Sequence, residues 1–214
     1  MYQLLELFCG TKSISKAFEQ NGFKSTTLDN VKSFHPDICM NIFKWDYKEL
    51  DPKFDVIWAS PPCQGFSVCK IGMNWTKANQ PKTFKARQSV GMVERTLEII
   101  DYFKPKYWFI ENPVGKLRVL PVVSGLPRAT ISYCQYGDTR MKPTDIWGTF
   151  PKGFPIRKCK QGDKCHVSAP RGSHDGGTQG LKDATERGRI PHDFCNLLAM
   201  KIKEELDGKS NWWW

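Results

Sequence analysis

The sequence predicts a doubly wound α/β fold, in which helices cover both faces of a largely parallel sheet. Through the first 150 residues, short apolar runs alternate with segments of helical period, which is typical of successive βαβ units. The runs are nearly continuous in apolar character, as expected of strands that are buried on both faces. The predicted strands are residues 2–8, 24–30, 55–60, 107–112 and 129–135.

Three helices are predicted around these strands. Residues 12–22 form the first, which ends at Gly22, and residues 86–103 form the second, with apolar side chains close to helical spacing. A third helix, over 190–206, begins near Pro191, and we expect it to return to the main domain.

Length and charge narrow the class of protein. A chain of 214 residues is long enough for one main domain and a small appendage. There are 32 Lys and Arg against 22 Asp and Glu, a net charge of +10, which favours a polyanionic partner through counterion release. Nucleic acid is the leading candidate, and a charge that serves only solubility is the alternative.

Targeting signals and cysteine usage indicate the compartment. No apolar run approaches the roughly 20 residues that span a bilayer, and the start, MYQLLELFCG, lacks the pattern of a secretory signal. We therefore expect a cytoplasmic protein without a membrane partner. The eight cysteines are then more consistent with reduced, catalytic or metal-bound thiols than with disulfides.

Two features follow the first two predicted strands, where an open α/β sheet binds its ligands. The stretch FCGTKSIS contains Gly10 and opens a helix, so backbone N–H groups face the crevice. Asp29 follows the second strand, where an acid can accept hydrogen bonds from both hydroxyls of a ribose. A nucleoside-containing cofactor is the expected ligand.

A thiol and a carboxyl group follow two later strands. Pro61-Pro62-Cys63-Gln64-Gly65 comes after residues 55–60, and Glu111-Asn112-Pro113 closes residues 107–112. If these strands are neighbours, Cys63 and Glu111 face one pocket. Such a pairing of a nucleophile with an acid is rarely needed for structure and indicates catalysis.

These motifs resemble those of one family. LELFCGTKSISKAFEQNGF, DVIWASPPCQGFS and WFIENP, in this order, resemble the DNA (cytosine-5) methyltransferases, and YCQYGDTRMKPTDIW is similar to the family's later basic motif. The resemblance covers roughly residues 1–150 and, more weakly, 187–206. It implies a Rossmann-like, S-adenosylmethionine-dependent methyltransferase sheet followed by a small irregular C-terminal recognition segment.

The resemblance also implies residue roles. Cys63 would add to C6 of a cytosine flipped out of double-stranded DNA, Glu111 would hold N3 of that base, and Arg140 would assist at the base and phosphate. For the cofactor, Phe8 and Gly10 would line the methionine end, Asp29 the ribose, Asn41 and Ile42 the adenine, and Pro61 the catalytic side. DNA contacts would come from Gln64, Ser67 and Lys142.

The region after Phe150 is rich in Gly, Pro, Lys and Arg and has almost no apolar period, which predicts loop or a small irregular subdomain. We divide the chain into a catalytic domain (1–150), a recognition segment (151–189) and a C-terminal helix (190–214). So short a segment offers few base contacts, so we expect a target of about two to four base pairs. Phosphate contacts are expected from Arg157, Lys158, Lys160, Lys164 and Arg171.

The stretch CKQGDKCH raises the question of a metal. Its Cys-x5-Cys-His spacing differs from the Cys-x2-4-Cys of most zinc sites, which favours a loop without metal. The alternative is zinc held by Cys159, Cys165 and His166, with His174 as a further ligand. Cys9, Cys69, Cys134 and Cys195 are interpreted as packing residues.

Taken together, the motifs predict a minimal, monomeric DNA cytosine-5 methyltransferase of a bacterium, bacteriophage or mobile element. A tRNA cytosine-5 methyltransferase, which shares the Pro-Cys and Glu-Asn motifs, is the nearest alternative. A nucleic-acid-binding subunit without activity, completed by a partner, is the alternative from another class. Intact Cys63 and Glu111 argue against that last interpretation.

Overall fold

A mixed sheet of seven strands forms the centre of the protein. The computed structural model describes residues 1–50, 53–167, 181 and 183–208. The strands are β1 (Gln3–Leu7), β2 (Lys24–Asp29), β3 (Ile38–Cys39), β4 (Val56–Ala59), β5 (Tyr107–Pro113), β6 (Arg128–Ser132) and β7 (Pro143–Gly148). The helices are α1 (Ser13–Gln20), α2 (Ile71–Asn74), α3 (Phe84–Phe103), α4 (Ala184–Gly188) and α5 (His192–Leu206).

The strand order is β3-β2-β1-β4-β5-β7-β6. The first five of these strands are parallel to one another, whereas β7 is antiparallel to both β5 and β6. The predicted α/β class is confirmed, and so is the assumption that the strand before Cys63 lies beside the strand that carries Glu111. These two strands bring their carboxyl ends to the same edge of the sheet.

Two strands escaped the sequence analysis. β3 has only two residues, too few for a periodic signal. β7 begins with Pro143 and carries Asp145, both unusual in a strand. Asp145 is nevertheless fully buried, because Arg118 donates to its carboxylate at 2.7 and 2.9 Å and Thr130 at 2.7 Å. Three hydrogen bonds thus offset the cost of burying this charge.

Both faces of the sheet are covered, as continuous apolar strands require. In β4, Val56 and Trp58 face one core cluster with α1 and α5, and Ile57 and Ala59 face the other with α3. All four side chains are fully buried. The core is therefore divided by the sheet, and the ends of the strands are left free to carry the site.

The predicted strand 129–135 ends early. β6 stops at Ser132, and Tyr133–Tyr136 turns into one 3-10 helix that ends at Gly137, whose φ of 87° lies in the left-handed region. This turn directs the chain over the carboxyl ends of the strands and places Tyr133 beside β5.

The irregular segment after β7 begins on the core. Phe150 and Phe154 stack on each other at 4.9 Å between ring centroids, and Phe154 meets Phe194 of α5 edge on. The described part, residues 149–167, contains no helix or strand, in agreement with the predicted irregular segment. Within the described residues, no helix has the length and apolarity needed to cross a membrane.

Candidate active site

A cavity of about 1170 Å³ opens at the carboxyl ends of β1, β4 and β5. Its walls come from the turn after β1, the loop after β4, the end of β5, residues 140–143 and the region around α4. This is the edge at which an α/β sheet is expected to bind its ligand. Cys63, Glu111, Arg140 and Lys142 all line it.

The loop after β4 presents Cys63. Pro61 and Pro62 continue the chain from the strand without N–H groups, and Cys63–Gly65 forms a single turn of 3-10 helix. The N–H of Phe66 closes this turn on the carbonyl oxygen of Cys63 at 3.0 Å. The thiol is exposed at the cavity wall, so its position is that of a reactive group and not of a packing residue.

Hydrogen bonds and close packing hold residues 61–67, the loop that carries Cys63, here called the catalytic loop. The carbonyl oxygen of Gly65 accepts hydrogen bonds from Trp75 Nε1 at 2.9 Å and Asn74 Nδ2 at 3.3 Å. A Cβ added to Gly65 would lie only 2.6 Å from Ser89 Cβ on α3, so glycine is required for this close approach. These contacts fix the loop that carries the thiol.

Asn112 ties the end of β5 to the catalytic loop. Its side chain is 1% exposed, and Nδ2 donates a 2.9 Å hydrogen bond to the carbonyl oxygen of Pro61. The register that pairs Ala59 with Ile110 brings these residues level with one another. The Glu-Asn motif therefore supplies both a carboxyl group and a clamp.

Glu111 is buried, 6% exposed, among polar partners. Tyr133 donates a 3.0 Å hydrogen bond to Oε1, and the Ser60 hydroxyl lies near the carboxyl group. Burial raises the pKa of Glu111 above its usual value, although Lys142, Tyr133 and Ser60 act in the opposite direction. Such a carboxyl group keeps its proton to a higher pH than an exposed one and can give it to a ligand.

Lys142 supplies the positive charge of this group. The lysine is buried, and its Nζ lies 4.5 Å from the centre of the Tyr133 ring and donates to the carbonyl oxygen of Arg187 at 2.9 Å. Burial lowers the pKa of Lys142, while Glu111 and Cys63 raise it. The ammonium group therefore interacts with both members of the thiol–carboxyl pair.

The thiol itself is tuned by the same groups. Loss of solvent around the thiol and the nearby Glu111 raise the pKa of Cys63. Lys142 and Arg187 lower it. The thiolate is the nucleophilic form, so its availability depends on this balance of charges.

Arg140 lines the cavity and is held by a neighbouring carboxylate and by backbone carbonyl oxygens. Its Nε donates to both carboxylate oxygens of Asp138, at 2.9 and 3.1 Å, and Nη1 donates to the carbonyl oxygens of Glu186 and Arg187 at 3.3 Å. The guanidinium group thus braces the region of α4 against the loop before β7. Lys142, predicted as a DNA contact, lowers the pKa of both Cys63 and Glu111, and Arg187 also lowers that of Cys63.

The turn after β1 forms the opposite wall of the cavity. Phe8, Gly10 and Lys12 all have positive φ, at 57°, 45° and 57°. For a bulky residue such as Phe8 this conformation costs roughly 1–2 kcal/mol, and strain of this kind is concentrated at functional sites. Phe8, Gly10 and Pro61 line the cavity, where the cofactor prediction placed them.

Three residues of that prediction lie elsewhere. The buried carboxylate of Asp29 accepts hydrogen bonds from the N–H groups of Gly10 at 3.0 Å and Val31 at 2.9 Å, so it fixes the turn and does not line the cavity. Asn41 accepts the N–H of Phe43, and Ile42 is packed in the core. An acid at a strand end can serve the backbone as well as a ligand, and the sequence does not distinguish the two.

The predicted DNA contacts are divided between the cavity and the outer surface. Gln64 and Ser67 line the cavity beside Cys63. Arg157 and Lys158 are exposed on the irregular segment but are not among its walls, and Arg171 lies outside the described residues.

Several cavity residues were missed by the sequence analysis. Lys70 and Lys85 are exposed at the rim of the cavity. Tyr133 donates a hydrogen bond to Glu111, and Ser60 lies near the same carboxyl group. Tyr133 could have been noticed as a polar aromatic residue at the end of a predicted strand. The lysines carried no signal, because they resemble any solvated charge on a helix or loop.

The fold and the site together define an α/β protein with a thiol and a carboxyl group at the carboxyl ends of adjacent central strands. Residues 2–118 match the family described as C-5 cytosine-specific DNA methylase, and the chain belongs to that family.

Individual relatives agree with this assignment. A protein of Frog virus 3 (isolate Goorha) named "Probable DNA (cytosine-5)-methyltransferase" is 33% identical over 202 residues, which cover 86% of this chain and 92% of the viral protein. Type II methyltransferase M.AgeI of Thalassovita gelatinovora is 28% identical over 134 residues, 53% of this chain but only 28% of that protein.

Among solved structures, the Entamoeba histolytica methyltransferase EhMeth has a TM-score of 0.51 and 16% identity, and the match covers 75% of this chain and 57% of that one. This likeness concerns the fold alone.

Proposed function

We propose that the protein transfers a methyl group from S-adenosylmethionine to C5 of cytosine in double-stranded DNA, at a short target. One observation carries the proposal: Cys63, Glu111 and Lys142 line one cavity and influence one another's protonation. Membership of the cytosine-5 DNA methylase family supports the choice of base and polymer.

The thiol would begin the reaction. The Cys63 thiolate adds to C6 of the cytosine and forms a C–S bond, while N3 takes up a proton that Glu111 holds. The electron pair of the C5–C6 double bond then makes C5 nucleophilic. At the end, a general base takes the C5 proton, whose electron pair restores the C5–C6 double bond, and the C–S bond breaks with its electron pair leaving on the Cys63 thiolate. The proton on N3 returns to Glu111.

S-adenosylmethionine, when bound, supplies an electrophilic methyl group. The residues present suit such a ligand, because Phe8, Gly10 and Pro61 line the cavity and a Cβ at Gly10 would meet no atom within 4 Å. The backbone of the turn can therefore be approached closely. Thr11 and Ser13 add hydroxyl groups to the same wall.

Base flipping follows from the depth of Glu111. A carboxyl group only 6% exposed cannot contact the N3 edge of a cytosine that remains paired and stacked in a duplex. The target base would have to leave the helix and enter the cavity. The cavity, at about 1170 Å³, is large enough for a nucleoside-sized cofactor and one base.

The binding of DNA would depend on exposed basic residues around this opening. Lys70 and Lys85 at the rim, with Arg157 and Lys158 on the irregular segment, are placed to contact phosphates. The division into a catalytic domain, a recognition segment and a C-terminal helix, and the monomeric state, are parts of the same proposal.

The test is methyl transfer from labelled S-adenosylmethionine to double-stranded DNA, followed by bisulfite sequencing. We expect 5-methylcytosine with the wild type and with Cys39→Ala, an exposed cysteine outside the cavity walls, and none with Cys63→Ala. DNA that contains 5-fluorocytosine should trap a covalent complex only when Cys63 is present. Transfer that survives Cys63→Ala would refute the mechanism, and label in tRNA alone would refute the substrate.

A further inference from the structure

Four potential metal ligands from two parts of the chain meet beside the cavity. Cys134 lies in the 3-10 turn after β6, and Cys159, Cys165 and His166 lie in the irregular segment. Their ligand atoms are all within 4.8 Å of one another. We propose that this cluster, Cys134–Cys159–Cys165–His166, binds a structural zinc ion.

The separations fit tetrahedral coordination. A zinc ion with Zn–S of about 2.3 Å and Zn–N of about 2.0–2.1 Å holds two sulfurs about 3.8 Å apart and a sulfur and a nitrogen about 3.6 Å apart. Cys134 Sγ lies 3.6 Å from Cys165 Sγ, and His166 Nδ1 lies 3.7 Å from Cys159 Sγ and 3.6 Å from Cys165 Sγ. The Cys134–Cys159 pair, at 3.1 Å, would widen on binding.

Local structure explains how distant residues converge. The N–H of Asp163 bonds the carbonyl oxygen of Lys160 at 3.2 Å, and Gly162 has a φ of 96°, as position three of a type II turn requires. This turn reverses the chain between Cys159 and Cys165. A second bond, from the N–H of Cys159 to Ser132 Oγ at 3.1 Å, holds the turn against the end of β6 and hence beside Cys134.

The donor set selects the ion. Three thiolates and one imidazole form a complete set for zinc and leave no open position, which is the pattern of a structural site. The complex would carry one negative charge, and Arg157, Lys158, Lys160 and Lys164, adjacent in sequence, offset it. The three cysteines of the cluster are free thiols, since the sulfur–sulfur distance of 3.1 Å between Cys134 and Cys159 is well beyond an S–S bond of about 2.05 Å.

The site has a consequence for DNA binding. His166 and Val167 line the cavity, so a metal at this cluster would fix one wall of the opening through which the base enters. The proposal departs from the predicted metal-free loop. That prediction considered only the spacing between Cys159 and Cys165. Cys134, which was interpreted as a packing residue, provides the fourth ligand from the turn after β6.

The test measures zinc in the full-length protein, purified under reducing conditions without chelator. We expect one zinc per chain in the wild type, and loss of at least tenfold in occupancy for Cys165→Ser. Cys165 is exposed, so this substitution leaves the core unchanged, and Cys39→Ser, also exposed and distant in the fold, is the matched control that keeps its zinc.

A second measurement needs no substitution. Cobalt(II) added to chelator-treated wild type should give the intense visible bands of tetrahedral thiolate coordination, and Cys159→Ser should weaken them. Wild-type protein with eight free thiols, no zinc and no cobalt bands would overturn the proposal. So would a Cys134–Cys159 disulfide in place of the metal, or equal zinc in the Cys165 and Cys39 variants. None of these readouts depends on methyl transfer.

Discussion

The side-chain amide of Asn112 donates a 2.9 Å hydrogen bond to the carbonyl oxygen of Pro61. Asn112 follows Glu111, and Pro61 comes two residues before Cys63, so one bond links the carboxyl motif to the thiol motif. The relative position of the Cys63 and Glu111 side chains depends on this bond.

Replacing Asn112 by alanine should therefore impair catalysis more than substrate binding. Loss of the bond leaves a buried carbonyl oxygen unpaired, which should lower the free energy of unfolding by about 1–3 kcal/mol. We expect kcat to fall at least tenfold, with a smaller change in KM for DNA, measured by steady-state methyl transfer. Asn21→Ala, which removes one hydrogen bond to Ala17 of α1 and one to Asn196 of α5, is the control and should retain kcat. An unchanged kcat in the Asn112 variant would show that the hydrogen bond to Pro61 does not position Cys63.

The electrostatic role of Lys142 can be measured on the thiol. Lys142 lowers the pKa of Cys63, so Lys142→Met should raise that pKa and move the midpoint of thiol alkylation to higher pH. The measurement is the rate of iodoacetamide reaction at Cys63, followed by peptide mass spectrometry in a Cys69→Ser background. Lys44→Met, an exposed lysine outside the cavity walls, is the control. An alkylation midpoint that is the same in both variants would show that Lys142 does not influence the pKa of Cys63.

The tight packing of the catalytic loop predicts a sensitive glycine. Gly65→Ala places a methyl group 2.6 Å from Ser89 Cβ, so the loop that carries Cys63 must shift. We expect at least a hundredfold loss of methyl transfer and a loss of about 1–3 kcal/mol in stability. Gly72→Ala, where an added Cβ meets no atom within 4 Å, adds the same methyl group nearby and should be close to wild type. Equal activity of the two variants would show that the loop has room to move.

Glu6 gives the protein a pH-dependent stability. Burial raises the pKa of Glu6 from 4.5 to about 7, against the opposing hydrogen bonds from Ser15. Between these values the folded protein binds a proton that the unfolded chain has lost, so the free energy of unfolding falls as pH rises from about 4.5 to 7 and then levels.

Glu6→Gln should flatten this dependence by roughly 1–3 kcal/mol across the range. Urea unfolding at a series of pH values provides the comparison, and Glu19→Gln, on the exposed face of α1, is the control. Parallel pH curves for the wild type and the Glu6 variant would contradict the assignment.

The sequence was sufficient to predict the site residues whose positions depend on where a strand ends. Cys63 and Glu111 follow adjacent parallel strands, and parallel strands bring their carboxyl ends together whatever the rest of the chain does. Asp29 illustrates the opposite case, because the sequence shows only an acid at a strand end, whereas the structure adds that its carboxylate accepts hydrogen bonds from the N–H groups of Gly10 and Val31. The choice between these roles depends on the three-dimensional path of the loop.

Two further differences arise from long-range contacts. Arg140 and Lys142 are separated by one residue, and only the positions of Asp138 and Glu111 decide which cation faces the thiol. Cys134 is 25 positions before Cys159 in the sequence, so the short ligand spacings typical of zinc motifs do not connect the two residues. Local pattern fixes elements and their order, whereas partners brought in by tertiary packing settle the roles of individual side chains.

Described residues on both sides of the stretch 168–182 are bonded to one short segment of the chain. The N–H of Val167 bonds the carbonyl oxygen of Thr139 at 2.8 Å, and Arg140 and Lys142 bond the carbonyl oxygens of Glu186 and Arg187. Both ends of the intervening stretch are thus fastened to residues 139–142. A change of sequence between these two anchors would leave the bonds that hold them in place, so the proposed choice of target could vary while Cys63 and Glu111 keep their positions.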